Sequence, residues 1–292
     1  MYRMFTHVSP LFFLLAATLI SCEKFSGEQT VPAYLSIDSI TLTTEYSTQG
    51  TASHSITDAW IYVDDELIGA FQMPARPPVL KQGSHKVTIL TGIKKNGIGT
   101  TRTVYDFYNE ITAVVNLTPD STVKLGRKNT TYRSTAEFLW REDFEGLSIS
   151  LDTTAQSSAW IEKTNSPEMT FEGAHSGVII LDTARDFFEA VNHLENPIPY
   201  APVYLEMNFN IDHPLVIGIF LYGPITLYQT PVITLNPTGG KWKKIYIDLT
   251  TSLNAYPNVS AFRVYLGTYF TAASGQAQLL IDNLKIVTRK SS

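Results

Sequence analysis

The chain has 292 residues, with 22 Lys and Arg against 27 Asp and Glu, and a single cysteine. The net charge of −5 and the absence of any Lys/Arg cluster exclude a phosphate-tracking surface, so no nucleic-acid partner is expected. One cysteine excludes an internal disulfide, and the fold must stand on its core; a chain of this size buries about three quarters of its surface.

Residues 1–10 carry one basic residue, Arg3, and no acid, and residues 11–20 (LFFLLAATLI) form an apolar run. A hydrocarbon core of about 30 Å needs roughly 20 helical residues, so the run reads as the apolar part of a signal peptide over residues 1–21. Removing that signal takes away only Arg3 among the charged residues, and 22 less one leaves 21 basic against 27 acidic residues. The run ends in Leu19-Ile20-Ser21-Cys22, which resembles the lipobox of bacterial lipoproteins. That resemblance implies cleavage before Cys22 and a lipid on its sulfur, with palmitate-type chains holding the protein to a membrane. Each buried methylene contributes about 0.8 kcal/mol, and two or more chains make the anchoring firm. Residues 23–32 form a short polar tether. Its Glu23-Lys24 resembles, in part, the signal after the cysteine of surface-exposed lipoproteins of the Bacteroidota, which implies an outer-membrane location.

Beyond the tether the chain is rich in Tyr, Phe and Thr, and the whole chain has 17 Gly and 15 Pro. Short alternating runs bounded by Gly, Pro, Asn and Asp dominate, which predicts an all-β protein of sandwich or barrel type. A first domain spans residues 33–132, with strands expected at 34–42, 59–64, 66–71, 85–91 and 112–117. Asp64-Asp65 predicts a tight hairpin turn. A second turn falls at residues 81–84, where Gly83 takes positive φ without steric cost. The run IYVDDELIGAF…VLKQGSHKVTIL resembles a PEGA-type or similar small immunoglobulin-like β-sandwich, through Asp64, Gly69, Gly83, His85 and Val87. Such modules imply a spacer or a protein-contact role. Residues 91–108 make a long Gly-rich connection ending in Tyr105, Phe107 and Tyr108. A loop of this length inside a compact domain is usually functional or disordered. Either its aromatics pin it back on the sandwich, or it grips an outer-membrane protein partner with Arg102 and Tyr105.

A polar link at residues 127–135 precedes a second domain at residues 136–290. Residues 203–211 and 241–249 alternate apolar and polar positions, and residues 215–222 (LVIGIFLY) read as a strand buried on both faces. An opening DFEG (143–146), the GAHSG of 173–177, the strand around Trp242 and a closing IDNLKI (281–286) resemble a galactose-binding-like jelly roll, the fold of many carbohydrate-binding modules. The resemblance implies a glycan ligand and, in some members, a structural Ca²⁺ between the first and last strands. Glu145 and Asp282 match the acidic positions, against the alternative that Asp282 only bonds neighbouring amides. Ca²⁺ takes six to eight oxygens, so two acids suggest a site without completing it. Trp242 is expected in the core. Trp160, Tyr222, Tyr228, Tyr256 and Tyr269 are the aromatic rings placed near loops where they could stack on a sugar.

No G-x-S-x-G elbow, H-x-x-x-H zinc pair or glycine-rich nucleotide loop occurs. Glu142, Asp143 and Glu145 lie on one strand and cannot oppose each other across a glycosidic bond. The sequence therefore points to a protein without enzymatic activity or catalytic cofactor. It is expected to be anchored in the cell envelope and to bind a glycan through the jelly roll. The alternative is a subunit of an outer-membrane assembly, contacting its partner through residues 91–108.

Overall fold

The computed structural model describes residues 31–272 and 274–290, so the signal segment, Cys22 and most of the tether lie outside the described residues. Eight strands build the first domain: β1 (Ala33–Thr43), β2 (Asp58–Val63), β3 (Glu66–Gln72), β4 (Pro78–Val79), β5 (Gly83–Lys94), β6 (Arg102–Val104), β7 (Ile111–Leu117) and β8 (Thr122–Thr131). One sheet has the order β4-β1-β8, with β1 and β8 parallel; the other is β3-β2-β5, continued by β7 on one half of β5 and β6 on the other. The five expected strands are all present. Asp64 and Asp65 both adopt positive φ, 51° and 65°, as a two-residue hairpin turn of the right twist requires. Leu35, Ile37, Ile61, Val63, Val87 and Ile89 project between the sheets and close an immunoglobulin-like core. The stretch expected as a polar link is different: residues 127–131 belong to β8. Their polar side chains alternate outward, and each of the five residues pairs with a residue of β1.

The second domain contains β9 (Ala136–Glu142), β10 (Leu151–Thr153), β11 (Ile161–Thr164), β12 (Ser176–Leu181), β13 (Phe187–Asn192), β14 (Asn196–Pro197), β15 (Tyr204–Ile211), β16 (Leu215–Tyr222), β17 (Leu227–Leu235), β18 (Lys243–Asp248), β19 (Ala261–Tyr269) and β20 (Ala277–Arg289). They form two antiparallel sheets, β10-β13-β19-β16-β17 and β11-β12-β20-β15-β18, with β14 and β9 added on β19 and β20. This is a jelly-roll sandwich. Phe188, Ile217, Ile219, Val264 and Leu266 of one sheet meet Leu205, Met207, Ile247, Ile281 and Ile286 of the other, all of them fully buried. No helix among the described residues is long and apolar enough to cross a membrane.

The two sandwiches are joined by a third cluster, in which Ile93, Tyr105, Phe107, Tyr108 and Tyr132 of the first domain pack on Tyr246 and Val287 of the second. Rings meet edge to face, Tyr105 with Tyr108 at 4.7 Å and with Tyr204 at 5.4 Å. Beneath them lies Glu206, wholly buried. Its Oε1 accepts from the hydroxyls of Tyr105 (2.7 Å) and Tyr132 (2.8 Å), and its Oε2 lies 3.1 Å from Lys244 Nζ. Burial pushes the Glu206 carboxyl up, but Lys244, Lys285 and the two tyrosines outweigh it and hold it below its ordinary value. Burial and the Glu206 charge together keep both tyrosine hydroxyls protonated, so they remain donors.

The tip of the 91–108 segment reaches the same surface. Asn96 donates its amide to Tyr246 O (2.8 Å), and its Oδ1 accepts from the Asp248 amide (2.8 Å). Tyr105, expected at a surface for an external partner, is instead 1 % exposed. Arg102 is held by Asp58 and donates to Gln72 Oε1 (3.1 Å). The loop does grip another sandwich, and that sandwich belongs to its own chain. Removing the Glu206 carboxylate would leave two buried tyrosine hydroxyls without their acceptor and the buried amines of Lys244 and Lys285 without their counter-charge. Glu206→Ala is therefore expected to cost about 3–5 kcal/mol, read as a lowered urea midpoint.

Candidate functional site

The outer face of the β15-β18-β20 sheet is covered by the first domain. The outer face of the other sheet carries an uncovered set of rings. On β13 the alternation sends Phe188 and Ala190 into the core and Phe187, Glu189 and Val191 outward. On β19, Phe262, Val264 and Leu266 point in, and Arg263, Tyr265, Gly267 and Tyr269 point out. On β16 the outward positions are Val216, Gly218, Phe220 and Tyr222, so the strand expected to be buried on both faces is core on one side only. Its apolar outer residues are the floor of a groove.

Cross-strand register fixes the layout. Tyr222 stands opposite Leu227 and Ala261, Phe220 opposite Gln229 and Arg263, Gly218 opposite Tyr265, and Phe187 opposite Tyr269. A Cβ on Gly218 would collide with the Tyr265 ring, so glycine lets that ring lie flat on the floor. Phe187 and Tyr269 stack at 4.2 Å, and Tyr269 is 65 % exposed. From the Tyr222 row to the Tyr269 row is eight residues of β19, roughly 26 Å at the rise of a strand. The groove has a volume of about 640 Å³.

Polar groups occupy its middle. Glu189 Oε1 accepts from Thr154 Oγ1 (3.0 Å) and Oε2 from Gln229 Nε2 (2.6 Å). Arg263 donates from Nε to Asn192 O (2.5 Å) and from Nη2 to Asp152 Oδ2 (2.7 Å), and His193 Nδ1 lies 2.8 Å from the other Asp152 oxygen. Burial raises the Asp152 carboxyl, but His193 and Arg263 prevail and hold it below its ordinary value. The guanidinium is thereby fixed at the groove wall. Among the described residues lining the groove, Glu189 is the one carboxylate, and both its oxygens are engaged. A pair of acids opposed across a glycosidic bond is not present there.

The expected aromatic set divides. Tyr222 and Tyr269 line the groove. Tyr228 and Tyr256 stack on each other at 4.2 Å and pack against the core. Trp160 is half exposed but stands apart on the turn before β11, its Nε1 donating to Glu162 (2.6 Å) and its ring 5.6 Å from the Arg185 guanidinium. Trp242, expected in the core, is half-buried against Phe171 at the edge of the domain junction. Tyr228 and Tyr256 satisfy each other by stacking, and Trp160 is satisfied by Glu162 and Arg185, so none of the three joins the groove. The period-2 pattern of 187–191 and 261–269 sets Phe187, Glu189 and Arg263 on one face, whereas Phe220 and Gln229 join them only through the register of β16 with β17 and β19.

The two acids matched to calcium meet at the turn 173–176. Glu145 Oε1 accepts from the amides of Ala174 (2.8 Å) and His175 (2.9 Å). Asp282 Oδ2 accepts from Ser176 Oγ (2.7 Å) and Oδ1 from the Asn283 amide (2.7 Å). Among the described residues no three acidic, His or Cys side chains converge on a metal position. Glu145 Oε1 and both Asp282 oxygens already receive protein donors and no third acidic ligand converges on them, so these residues do not fit the ion and no role is derived from it.

No family model matches the chain, and no curated protein matches it. Solved structures of similar fold include a carbohydrate-binding module of the β-sandwich superfamily, at 12 % identity, TM-score 0.37, over 80 % of this chain and 85 % of that one. A second is the CBM22-1 xylan-binding domain of Paenibacillus barcinonensis Xyn10C, at 16 % identity and TM-score 0.40, over 55 % of this chain and 99 % of that one. A third is a family 61 module bound to β-1,4-galactotriose, at 12 % identity and TM-score 0.30, over 48 % and 87 %. At these scores the likeness carries no argument about function.

Burial raises the Asp282 carboxyl from 3.8 to about 7, against the Ser176 and Asn283 donors. The unfolded chain therefore releases this proton at a lower pH than the folded one. Stability contributed at this position falls as pH rises from about 4 to about 7. Asp282→Asn is expected to raise the melting temperature by an amount that grows across that window and then levels off, with calcium or chelator making no difference. Bound calcium would reverse the sign of the substitution.

Proposed function

We propose that the protein is a non-catalytic, lipid-anchored binding protein of the outer membrane whose groove on the second sandwich takes an extended glycan. The observation that carries this reading is the row of outward rings with fixed polar groups between them. Phe187 and Tyr269 stand at one end, Phe220 and Tyr222 at the other, and Glu189, Gln229 and Arg263 between. Ring faces accept the apolar faces of sugars, and the charged and amide groups bond hydroxyls. A floor roughly 26 Å long suits several linked sugars better than one. The lone engaged carboxylate supports binding without hydrolysis.

Two measurements test this. Thermal shift and calorimetry of the chain from residue 31 onward against plant, host and bacterial polysaccharides are expected to yield at least one ligand. Tyr269→Ala or Phe187→Ala should weaken it about tenfold, the equivalent of roughly 1.4 kcal/mol. Failure of every glycan, or ligands indifferent to both rings, would sink the groove reading. For the anchor, Cys22→Ala is expected to move the protein from the membrane fraction to the soluble one. Continued membrane retention would remove the lipid from the account.

A further inference from the structure

A second concavity lies where the two sandwiches meet, with a volume of about 720 Å³. Its first-domain side is formed by His54, Lys94 and Asn96, and its second-domain side by Trp242, Lys243 and Lys244. Among the described residues no Asp or Glu lines it. At its base the Lys244 side chain is 3 % exposed, and its Nζ has no hydrogen-bond acceptor. Glu206 Oε2, at 3.1 Å, is near enough for ion pairing but not aligned to accept a hydrogen bond, and it too is unsatisfied. Directly across the strand pair from Lys244 is Asn208. The Asn208 amide donates to Ser53 Oγ (2.9 Å), and its buried Oδ1 receives no donor.

Buried polar groups are nearly always paired, because each orphan costs roughly 1–3 kcal/mol. Of these open groups Lys244 lines the cleft, and an unsatisfied charged donor there is what an anionic group would complete. The charge count agrees. Glu206 offsets the Lys244 ammonium, and burial pulls the Lys285 amine down to about 7, so the positive excess of the cleft comes from Lys94 and Lys243 at its rim. The Trp242 ring, half-buried at the wall, offers a flat apolar face.

We propose that this interdomain cleft is a second ligand site, selective for a saccharide bearing a carboxylate, with the acid group at Lys244 and the sugar ring against Trp242. That the anion is part of a sugar rests on the glycan reading above; that the site takes a carboxylate does not. In this arrangement Lys94 and Lys243 draw the anion in.

The test is calorimetry on the full chain with digalacturonate, with the neutral digalactose of the same linkage, and with acetate. Digalacturonate is expected to bind, and the neutral disaccharide to bind about tenfold more weakly or not at all. Lys243→Ala and Lys94→Ala, both rim changes that leave the buried base intact, should each weaken the acid sugar several-fold, and added salt should do the same. Trp242→Ala should weaken the sugar acid and leave any acetate binding unchanged. Tyr269→Ala, in the groove, should leave digalacturonate binding in place.

Several results would overturn the proposal. One is equal binding of acid and neutral sugars; another is acetate binding as tightly as digalacturonate, which makes the cleft a simple anion trap. Binding lost in Tyr269→Ala but kept in Lys243→Ala would place the acid sugar in the groove, supporting that reading while refuting this one. No binding of digalacturonate at up to about 10 mM would refute the cleft site and leave the groove untouched.

Discussion

A carboxylate taken out of water has to be compensated, and Glu206 is compensated from both halves of the molecule. Tyr105 and Tyr132 reach it from the first sandwich, and Lys244 and Lys285 reach it from the second. Tyr105 follows β6 and Tyr132 follows β8, so the first sandwich can satisfy the acid from two separate places only in one orientation. The aromatic cluster around these groups excludes water, which strengthens each bond and raises the cost of losing any of them. Docking is thus specified by a polar centre in an apolar surround.

That docking decides which surfaces of the jelly roll are left to bind anything. A two-sheet sandwich has two outer faces. One receives the first domain, and its polar residues Glu206, Asn208 and Lys244 become buried. The other keeps Phe187, Phe220, Tyr222 and Tyr269 at the surface, a density of rings that would be hard to account for on a purely structural face. The groove needs only the strands of its own sheet. The cleft does not exist until the two domains meet, since His54, Lys94 and Asn96 come from one and Trp242, Lys243 and Lys244 from the other. The two sites also differ in charge. The groove pairs a fixed guanidinium with an engaged carboxylate, whereas the cleft is lined by cations alone among its charged groups.

The strands of the first domain were legible because turn chemistry and period-2 alternation are local. Asp64-Asp65 sits in the conformation its hairpin needs, and β1, β2, β3, β5 and β7 fall where the pattern puts them. β8 was missed because TVKLGRKNTT is polar on its outer side and too weakly apolar on the inner side to stand out. The groove was half legible. Tyr222 and Tyr269 were found as aromatics near loops, whereas Phe187, Glu189 and Arg263 needed the alternation of β13 and β19 to be read as one face. For the segment 91–108 the sequence leaves two readings open, aromatics that pin it to its own chain or a grip on an external partner, because it carries no mark that separates an internal partner from an external one.

The amino-acid sequence by itself therefore determined the all-β class, the succession of two sandwiches, most hairpins, the want of catalytic motifs and the anchor-like N-terminus. All of these depend on residues close together along the chain. Only the tertiary structure decided that Tyr105 faces Glu206, that Tyr228 and Tyr256 satisfy each other, that Asp282 bonds a serine, and that the outer face of one sheet stays open. Each of those outcomes joins residues distant in sequence, from 28 positions for Tyr228 and Tyr256 to 106 for Ser176 and Asp282. Such pairings follow from how whole sheets stack, and they leave no local pattern in the chain.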